Sequence, residues 1–175
     1  PAPLNEDALV SCIPPEKDAD GFHPKNIATY LAEEEALPPG LIEGIVRLIH
    51  AAPRSLNGTQ VVLRTKDSIF PEMLTACFSR AGAIVSRHLA LLPTAEIVVT
   101  ALGEPLSLRA EMLAPDAIVI DVGTARGVDG KIHGDFLPEH ISEMVRYTPV
   151  PGGVGPVPIA MLLLRTAQYA KKRAQ

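Results

Sequence analysis

Cysteine is scarce in this sequence: Cys12 and Cys77 are the only two among 175 residues, far apart and without a Cys-x-x-Cys or His-rich neighbourhood. Nothing therefore indicates a disulfide framework or a zinc site, and both thiols read as small buried apolar groups in a reducing compartment. His23, His50, His133 and His140 show no ligand spacing, so no metal is expected. Positive charge is not in excess either. Twenty acidic side chains face 16 basic ones, and the only dense basic cluster is Lys171 to Arg173 near the end, which gives no electrostatic footprint for nucleic acid. Long apolar runs are missing: Ile159 to Leu164 is far shorter than the roughly 20 residues a bilayer needs, and the start lacks the basic-then-apolar order of a signal peptide. A soluble, cytoplasmic protein with no membrane partner is the expectation. Internal repeats and low-complexity tracts are also absent.

What is present is enough apolar material for a real core, 47% of the residues. Asn5 can cap a helix whose Leu9, Cys12 and Ile13 share a face, and Asn26 can open another through Ile27, Tyr30 and Leu31. After Pro38-Pro39-Gly40, the residues Leu41, Ile42, Ile45, Val46, Leu48 and Ile49 follow helical spacing. The period then changes. Val61 to Leu63, Ala83 to Val85, Ile97 to Thr100 and Ile118 to Val122 are short, β-branched, nearly continuous apolar runs, as expected for strands covered on both faces. A helical pattern holding Met73, Leu74, Cys77 and Phe78 lies between the first two and makes a βαβ unit. The fold class is α/β, an open and mainly parallel sheet with helices on both faces, whose ligands bind beyond the carboxyl ends of the strands.

Two loops carry chemistry. In Thr148-Pro149-Val150-Pro151-Gly152-Gly153-Val154-Gly155-Pro156, three glycines remove side chains that would block close approach, while prolines fix φ. With a helix expected to start about Pro158 and to end in basic residues, such a loop can hold a planar ligand against exposed backbone; it can also be a stiffened turn. Pro15-Glu16-Lys17-Asp18-Ala19-Asp20-Gly21-Phe22-His23-Pro24 packs four charges, a glycine and two further prolines. It is either a solvated cluster or a pair of polar groups aimed at a cleft, and charge alone leaves both open.

Together the loops resemble the bifunctional methylenetetrahydrofolate dehydrogenase/methenyltetrahydrofolate cyclohydrolase family, which carries P-x-K-D-V-D-G-F and T-P-V-P-G-G-V-G-P. The second match is complete and the first differs only at Ala19. Between them, Ala117 to Gly123 is similar to A-x-V-I-D-V-G, and Gly130 to Asp135 to G-K-x-x-G-D. The resemblance implies the remainder of an N-terminal folate-site lobe over 1–40, a Rossmann-type dinucleotide-binding domain over 41–147, and a glycine loop and C-terminal helix over 148–175 that return to the first lobe. It also implies oxidation of 5,10-methylenetetrahydrofolate with NADP, hydrolysis of the methenyl product to 10-formyltetrahydrofolate, and a homodimer. Asp20 matches the aspartate that hydrogen-bonds the pterin-like ring, which makes it the catalytic-site candidate. Pro151, Gly152, Gly153, Val154 and Pro156 would line the same folate pocket.

The sequence departs from the family in two places. By spacing, Pro1 matches the last proline of a Q-L-P-L-P segment, so the Y-x-x-x-K motif whose lysine serves the cyclohydrolase step has no counterpart here. Lys17 and Lys25 are not at its position and read as solvated charges. The phosphate loop G-R-S-x-x-V-G-x-P is also altered: Arg64 falls at the first glycine, Lys66 at the serine and Phe70 at the second glycine, with one residue missing before Pro71. Side chains at those turns obstruct a dinucleotide, whereas Arg64, Thr65 and Lys66 retain groups that can hold a phosphate. His88 at the end of the second strand and Thr124 after D-V-G complete the expected cofactor contacts, the first at the adenosine phosphate and the second on the nicotinamide side. Gly103-Glu104-Pro105 resembles the family's turn beneath the cofactor, and the helix after His88 is expected to be reduced. Two readings are open: the C-terminal part of a tetrahydrofolate-interconverting enzyme, or a non-catalytic folate-binding or dimerising relative with a defective NADP site.

Overall fold

The computed structural model describes residues 5–32, 36–52, 54–66, 68–138 and 145–173. Pro1, Asp67 and His140 lie outside the described residues, as do the side chains of Lys172 and Arg173. In chain order the elements are α1 (Glu6–Ser11), α2 (Pro24–Ala32), α3 (Gly40–Ala51), β1 (Gln60–Thr65), α4 (Ile69–Arg80), β2 (Ile84–Ser86), β3 (Ile97–Ala101), β4 (Leu108–Arg109), β5 (Ile118–Asp121), β6 (Ala125–Arg126), β7 (Ile132–His133), β8 (Phe136–Leu137), β9 (Arg146–Tyr147) and α5 (Pro156–Arg173).

The apolar runs at 61–63, 97–99 and 118–120 become neighbours in a five-stranded sheet of order β2-β1-β3-β5-β9, in which every pairing is parallel. Because side chains alternate across a strand, each run feeds two cores. Val61, Leu63, Ile97, Val99, Ile118 and Ile120 pack with Ile42, Ile45, Ile49, Met73, Leu74 and Phe78 of α3 and α4 on one face. Val62, Val98 and Val119 pack with Leu92, Leu108, Leu113 and Phe136 on the other. Each fully buried side chain of this kind contributes about 1.5–3 kcal/mol, which is why the runs are continuous rather than alternating.

The helix α5 lies across α3 where that helix carries Gly40 and Gly44. A Cβ at Gly44 would stand 3.0 Å from Val157 Cγ1, and one at Gly40 would stand 3.5 Å from Met161 Cβ. The two glycines therefore set the closeness of the crossing.

Several local expectations are corrected. α5 starts at Pro156, two residues before Pro158, so the proline that ends the glycine loop is itself the first helical residue. α2 starts at Pro24, not after Asn26; the His23 ring nitrogen accepts from Lys25 N at 3.1 Å, and Asn26 instead donates to Pro15 O and Asp18 Oδ2, both at 2.9 Å. Asn5 does cap α1 through Ala8 N at 3.1 Å. Cys12 is exposed, because the apolar face of α1 is not covered here, and Cys77 is only part-buried. A single 3₁₀ segment, Leu89–Thr94, follows His88 in place of a full helix. Among the described residues no helix is long and apolar enough to cross a membrane.

Candidate functional site

Parallel strands deliver their carboxyl ends to one edge, and two buried carboxylates organise the turns at that edge. Asp135, fully buried, accepts from the Thr100 hydroxyl at 2.7 Å, Leu102 N at 2.7 Å and Glu104 N at 2.8 Å, tying the turn after β3. Asp121, at the end of β5, accepts from Gly123 N at 3.0 Å, Asp135 N at 3.1 Å and Phe136 N at 2.8 Å. Burial pushes the Asp121 carboxyl up, helped by the Asp135 charge, and the three N–H donors only partly offset this. The glycines of these motifs are explained by the same contacts. A Cβ at Gly123 would run into the Asp135 carboxylate and one at Gly134 into the Asp121 carboxylate.

The glycine loop hangs from this scaffold. Asp121 N donates to Thr148 Oγ1 at 2.8 Å, and Gly153 N donates to Pro149 O at 2.7 Å, closing the turn on itself. The Val150–Pro151 peptide is cis, Gly152 has φ +105°, and a Cβ at Gly153 would stand 2.5 Å from Pro149 O and 2.8 Å from Thr148 Cβ. Val154 is buried, while Pro151, Gly152 and Pro156 are exposed. Loop, Leu41 and the residues after β5 border a mostly apolar, half-open cavity of about 550 Å³, whose walls include Pro151, Gly152, Gly153, Val154, Pro156 and Thr124. That volume suits a bicyclic ring with few polar groups.

The acidic turn stands beside the cavity rather than in its wall. Asp18, buried, accepts from Gly21 N at 2.9 Å, His23 N at 2.8 Å and Asn26 Nδ2; burial raises its carboxyl, but these donors outweigh it and hold the group below the ordinary value. Asp18 is thus the residue that shapes the turn. Asp20 O accepts from Gly40 N at 2.9 Å, which places Asp20 one residue from Leu41 in the cavity wall. Burial and the Asp18 charge push the Asp20 carboxyl up, and Arg165 draws it back.

A second cavity, of about 290 Å³, lies over the ends of β1 and β2 and is lined by Arg64, Thr65, Arg87, His88, Leu89 and Leu102. Thr65 Oγ1 is buried, and it has no hydrogen-bond partner among the described residues. Arg64 is buried and its guanidinium already engaged: Nη1 donates to Thr100 Oγ1 at 3.2 Å, Nη2 donates to Ser107 Oγ at 3.0 Å, and Glu104 and Asp135 lie at 3.4 and 3.8 Å. Lys66 is exposed and does not line this cavity.

Leu63 is buried within β1, and the sequence admits a second motif register. Counted back from Pro71, the nine-residue phosphate-loop pattern closes without a gap, with Leu63 at the first glycine, Arg64 at the arginine, Thr65 at the serine and Ile69 at the second glycine. The structure thus brings Thr124 together with the glycine loop in one cavity, and Arg64, Thr65 and His88 together in another. Asp121 and Asp135 had no role assigned from sequence, although both sit in the D-V-G and G-D motifs; Arg165, buried on α5, gave no signal beyond being a charge in an apolar run. Among the described residues, no group of three His, Cys, Asp or Glu could hold a metal ion.

Comparison with known proteins agrees with this architecture. A sequence model for the tetrahydrofolate dehydrogenase/cyclohydrolase NAD(P)-binding domain matches residues 39–174. The bifunctional protein FolD of Lacticaseibacillus paracasei is 37% identical over 99% of the chain, and that of Bacillus pumilus 38% over 98%; the chain spans 64% of each relative's length. The crystal structure of the bifunctional enzyme FolD from Campylobacter jejuni superposes with a TM-score of 0.87 at 36% identity, covering 99% of this chain and 64% of that one. The Trypanosoma brucei enzyme, solved in complex with NADP cofactor and inhibitor, gives a TM-score of 0.86 at 30% identity, covering 100% and 65%. With a matched domain over most of its length and relatives above 30% identity across nearly all of it, the chain belongs to the tetrahydrofolate dehydrogenase/cyclohydrolase family.

Proposed function

We propose that this chain is the C-terminal, Rossmann-type part of a methylenetetrahydrofolate dehydrogenase/cyclohydrolase. On this reading it joins in oxidising 5,10-methylenetetrahydrofolate to the 5,10-methenyl form with NADP and in hydrolysing that product to 10-formyltetrahydrofolate. The observation that carries this reading is the cavity of about 550 Å³ shared by the glycine loop and Thr124, since hydride transfer needs a reduced pterin and a nicotinamide ring face to face. Bound NADP in its oxidised form would supply the acceptor for the hydride that leaves the methylene carbon. The chain's own part is positioning. The glycine loop offers flat backbone to the pterin, and the Asp20 carboxylate, at the end of a turn fixed by Asp18, accepts from ring N–H donors. Thr124 closes the cavity on the nicotinamide side.

For the dinucleotide, the Thr65 hydroxyl, on a residue that lines the smaller cavity and unpartnered among the described residues, supports a fit, because a phosphate oxygen would satisfy it. Thr65 and His88 would hold the adenosine phosphate, with Arg64 fixing the strand end beneath them. The proton transfer of ring opening is assigned to no residue of this chain. The segments 1–40, 41–147 and 148–175 act as folate-lobe remainder, dinucleotide unit and returning loop and helix. The protein works in the cytoplasm as a homodimer joined through its Rossmann-type units. The test is reduction of NADP by the gene product in the presence of 5,10-methylenetetrahydrofolate; no turnover with NADP or NAD overturns the enzymatic reading.

A second reading, a folate-binding or dimerising relative without dinucleotide chemistry, draws support from Leu63 and Ile69 at the glycine positions and from the engaged Arg64 guanidinium. Folate binding without any NADP isotherm selects it, and a measurable NADP isotherm eliminates it.

A further inference from the structure

The helix α5 has the glycine loop at one end, and nine residues further on it carries a buried cation, Arg165. At 1.5 Å per residue that is about 14 Å of unbroken helix. Arg165 Nη2 donates to Pro38 O and, at 2.8 Å, to Glu43 Oε2 on α3. Its other terminal nitrogen packs on the acidic turn, 3.3 Å from where a Cβ of Gly21 would stand, and Pro39 Cα lies 2.9 Å from the same point. Gly21 follows Asp20, whose carboxylate oxygen lies 3.6 Å from the Cβ position of Gly40. One guanidinium therefore touches the acidic turn, the strand of chain entering α3 and the first turn of α3 itself. It does so from the element that also carries the glycine loop. Helix packing alone does not call for a buried arginine here, since burying a charge costs several kcal/mol unless it is paired.

We propose that Arg165 is a positioning residue for folate recognition: it clamps the Asp18–Gly21 turn to α3 and α5, holding the Asp20 carboxylate at a fixed distance and orientation from the glycine loop. The proposal rests on the reading that Asp20 and the loop bind the pterin-like ring. Among the described residues, the charges facing Asp20 are Asp18 from its own turn and Arg165 from α5; Glu43 of α3 pairs with Arg165, and Arg47 pairs with Glu43. Arg165 stabilises the ionised Asp20 that a ring N–H donor needs, and Glu43 tempers that effect by neutralising Arg165.

The test combines carboxyl-resonance titration of Asp20 with folate and NADP titrations of the protein and the variants Arg165→Met, Arg165→Lys and Glu43→Gln. Arg165→Met is expected to move the Asp20 titration to higher pH and to weaken tetrahydrofolate binding tenfold or more, with NADP affinity unchanged. Arg165→Lys is expected to restore the Asp20 titration but not the full affinity, because an ammonium cannot bridge all three segments. Glu43→Gln, which keeps the clamp through Pro38 O, is expected to move the titration the other way. An Asp20 titration that ignores both Arg165→Met and Glu43→Gln overturns the proposal, as does a parallel loss of folate and NADP affinity. If the protein itself binds no folate, the functional reading fails, while the Asp20 titrations still decide whether Arg165 governs that carboxylate; Glu43→Gln decides it alone if Arg165→Met does not fold.

Discussion

Arg64 Nη1 stands 3.8 Å from Asp135 Oδ2, and Thr100 Oγ1 sits between them, accepting from Arg64 at 3.2 Å and donating to the same Asp135 oxygen at 2.7 Å. The pair joins the end of β1 to the end of β3 through the segment that precedes β8. An arginine suited by charge to grip a phosphate is thereby turned into a strut beneath the smaller cavity.

Asp135→Ala is expected to destabilise the protein by about 3–5 kcal/mol, since it removes one of the two carboxylates beside the buried Arg64 guanidinium and leaves Leu102 N and Glu104 N without acceptors. Urea unfolding reads this directly. A loss below about 0.5 kcal/mol, the range of an ordinary surface change, would mean the network is not what holds the strand ends.

The two glycines flanking Val154 are expected to behave oppositely. Ala at 153 meets Pro149 O and Thr148, so Gly153→Ala should cost about 2 kcal/mol or more and abolish the loop's close turn. Ala at 155 meets nothing within 4 Å, so Gly155→Ala should stay within about 0.5 kcal/mol. Denaturation midpoints of the two variants compare them, and equal costs would contradict the geometry.

Acid sensitivity arises from Asp18 and Glu43, whose carboxyls are held below their ordinary values of 3.8 and 4.5 in the folded protein. A depressed folded pKa gives stability that is fully present above the unfolded value and lost as pH falls through the folded one. Stability should therefore fall as pH drops below about 4.5. Asp121, held above its ordinary value, works in the opposite direction, its burial penalty easing as it takes up a proton. Asp18→Asn should flatten part of the acid limb. Urea midpoints measured down the pH scale check this, and an unchanged limb in the variant would contradict it.

Thr65→Val removes a buried hydroxyl that has no partner among the described residues. Stability should be unchanged or slightly higher, while NADP affinity should fall by about 1 kcal/mol, roughly fivefold. His88→Ala should weaken NADP more than NAD if the imidazole faces the adenosine phosphate. Titration of both dinucleotides measures these effects, and undiminished NADP affinity in both variants would remove the smaller cavity as its site.

The parallel sheet was legible because burial on both faces writes itself as continuous apolar runs, and β1, β3 and β5 fall where Val61, Ile97 and Ile118 announce them. Helix starts were less so. Asn26 looks like a cap, but its amide is claimed by Asp18, eight residues earlier, and Pro24 opens α2 instead. Of the candidate site, the glycine loop and Thr124 share one cavity, but the work of Arg64 could not be read from its neighbours in sequence. Its partners, Thr100, Ser107 and Asp135, lie 36 to 71 positions away and meet it only once the strands are side by side. Arg165 was hidden for the same reason, since Pro38 and Glu43 reach it only after α5 crosses α3.

The central claim is that the glycine loop and the acidic turn serve one pterin-sized ligand. Calorimetric titration of the protein with tetrahydrofolate, beside Gly153→Ala and Asp20→Asn, tests it most directly. A saturable isotherm weakened tenfold or more in both variants is the predicted result. No isotherm in the parent protein, or one that neither substitution alters, would contradict it.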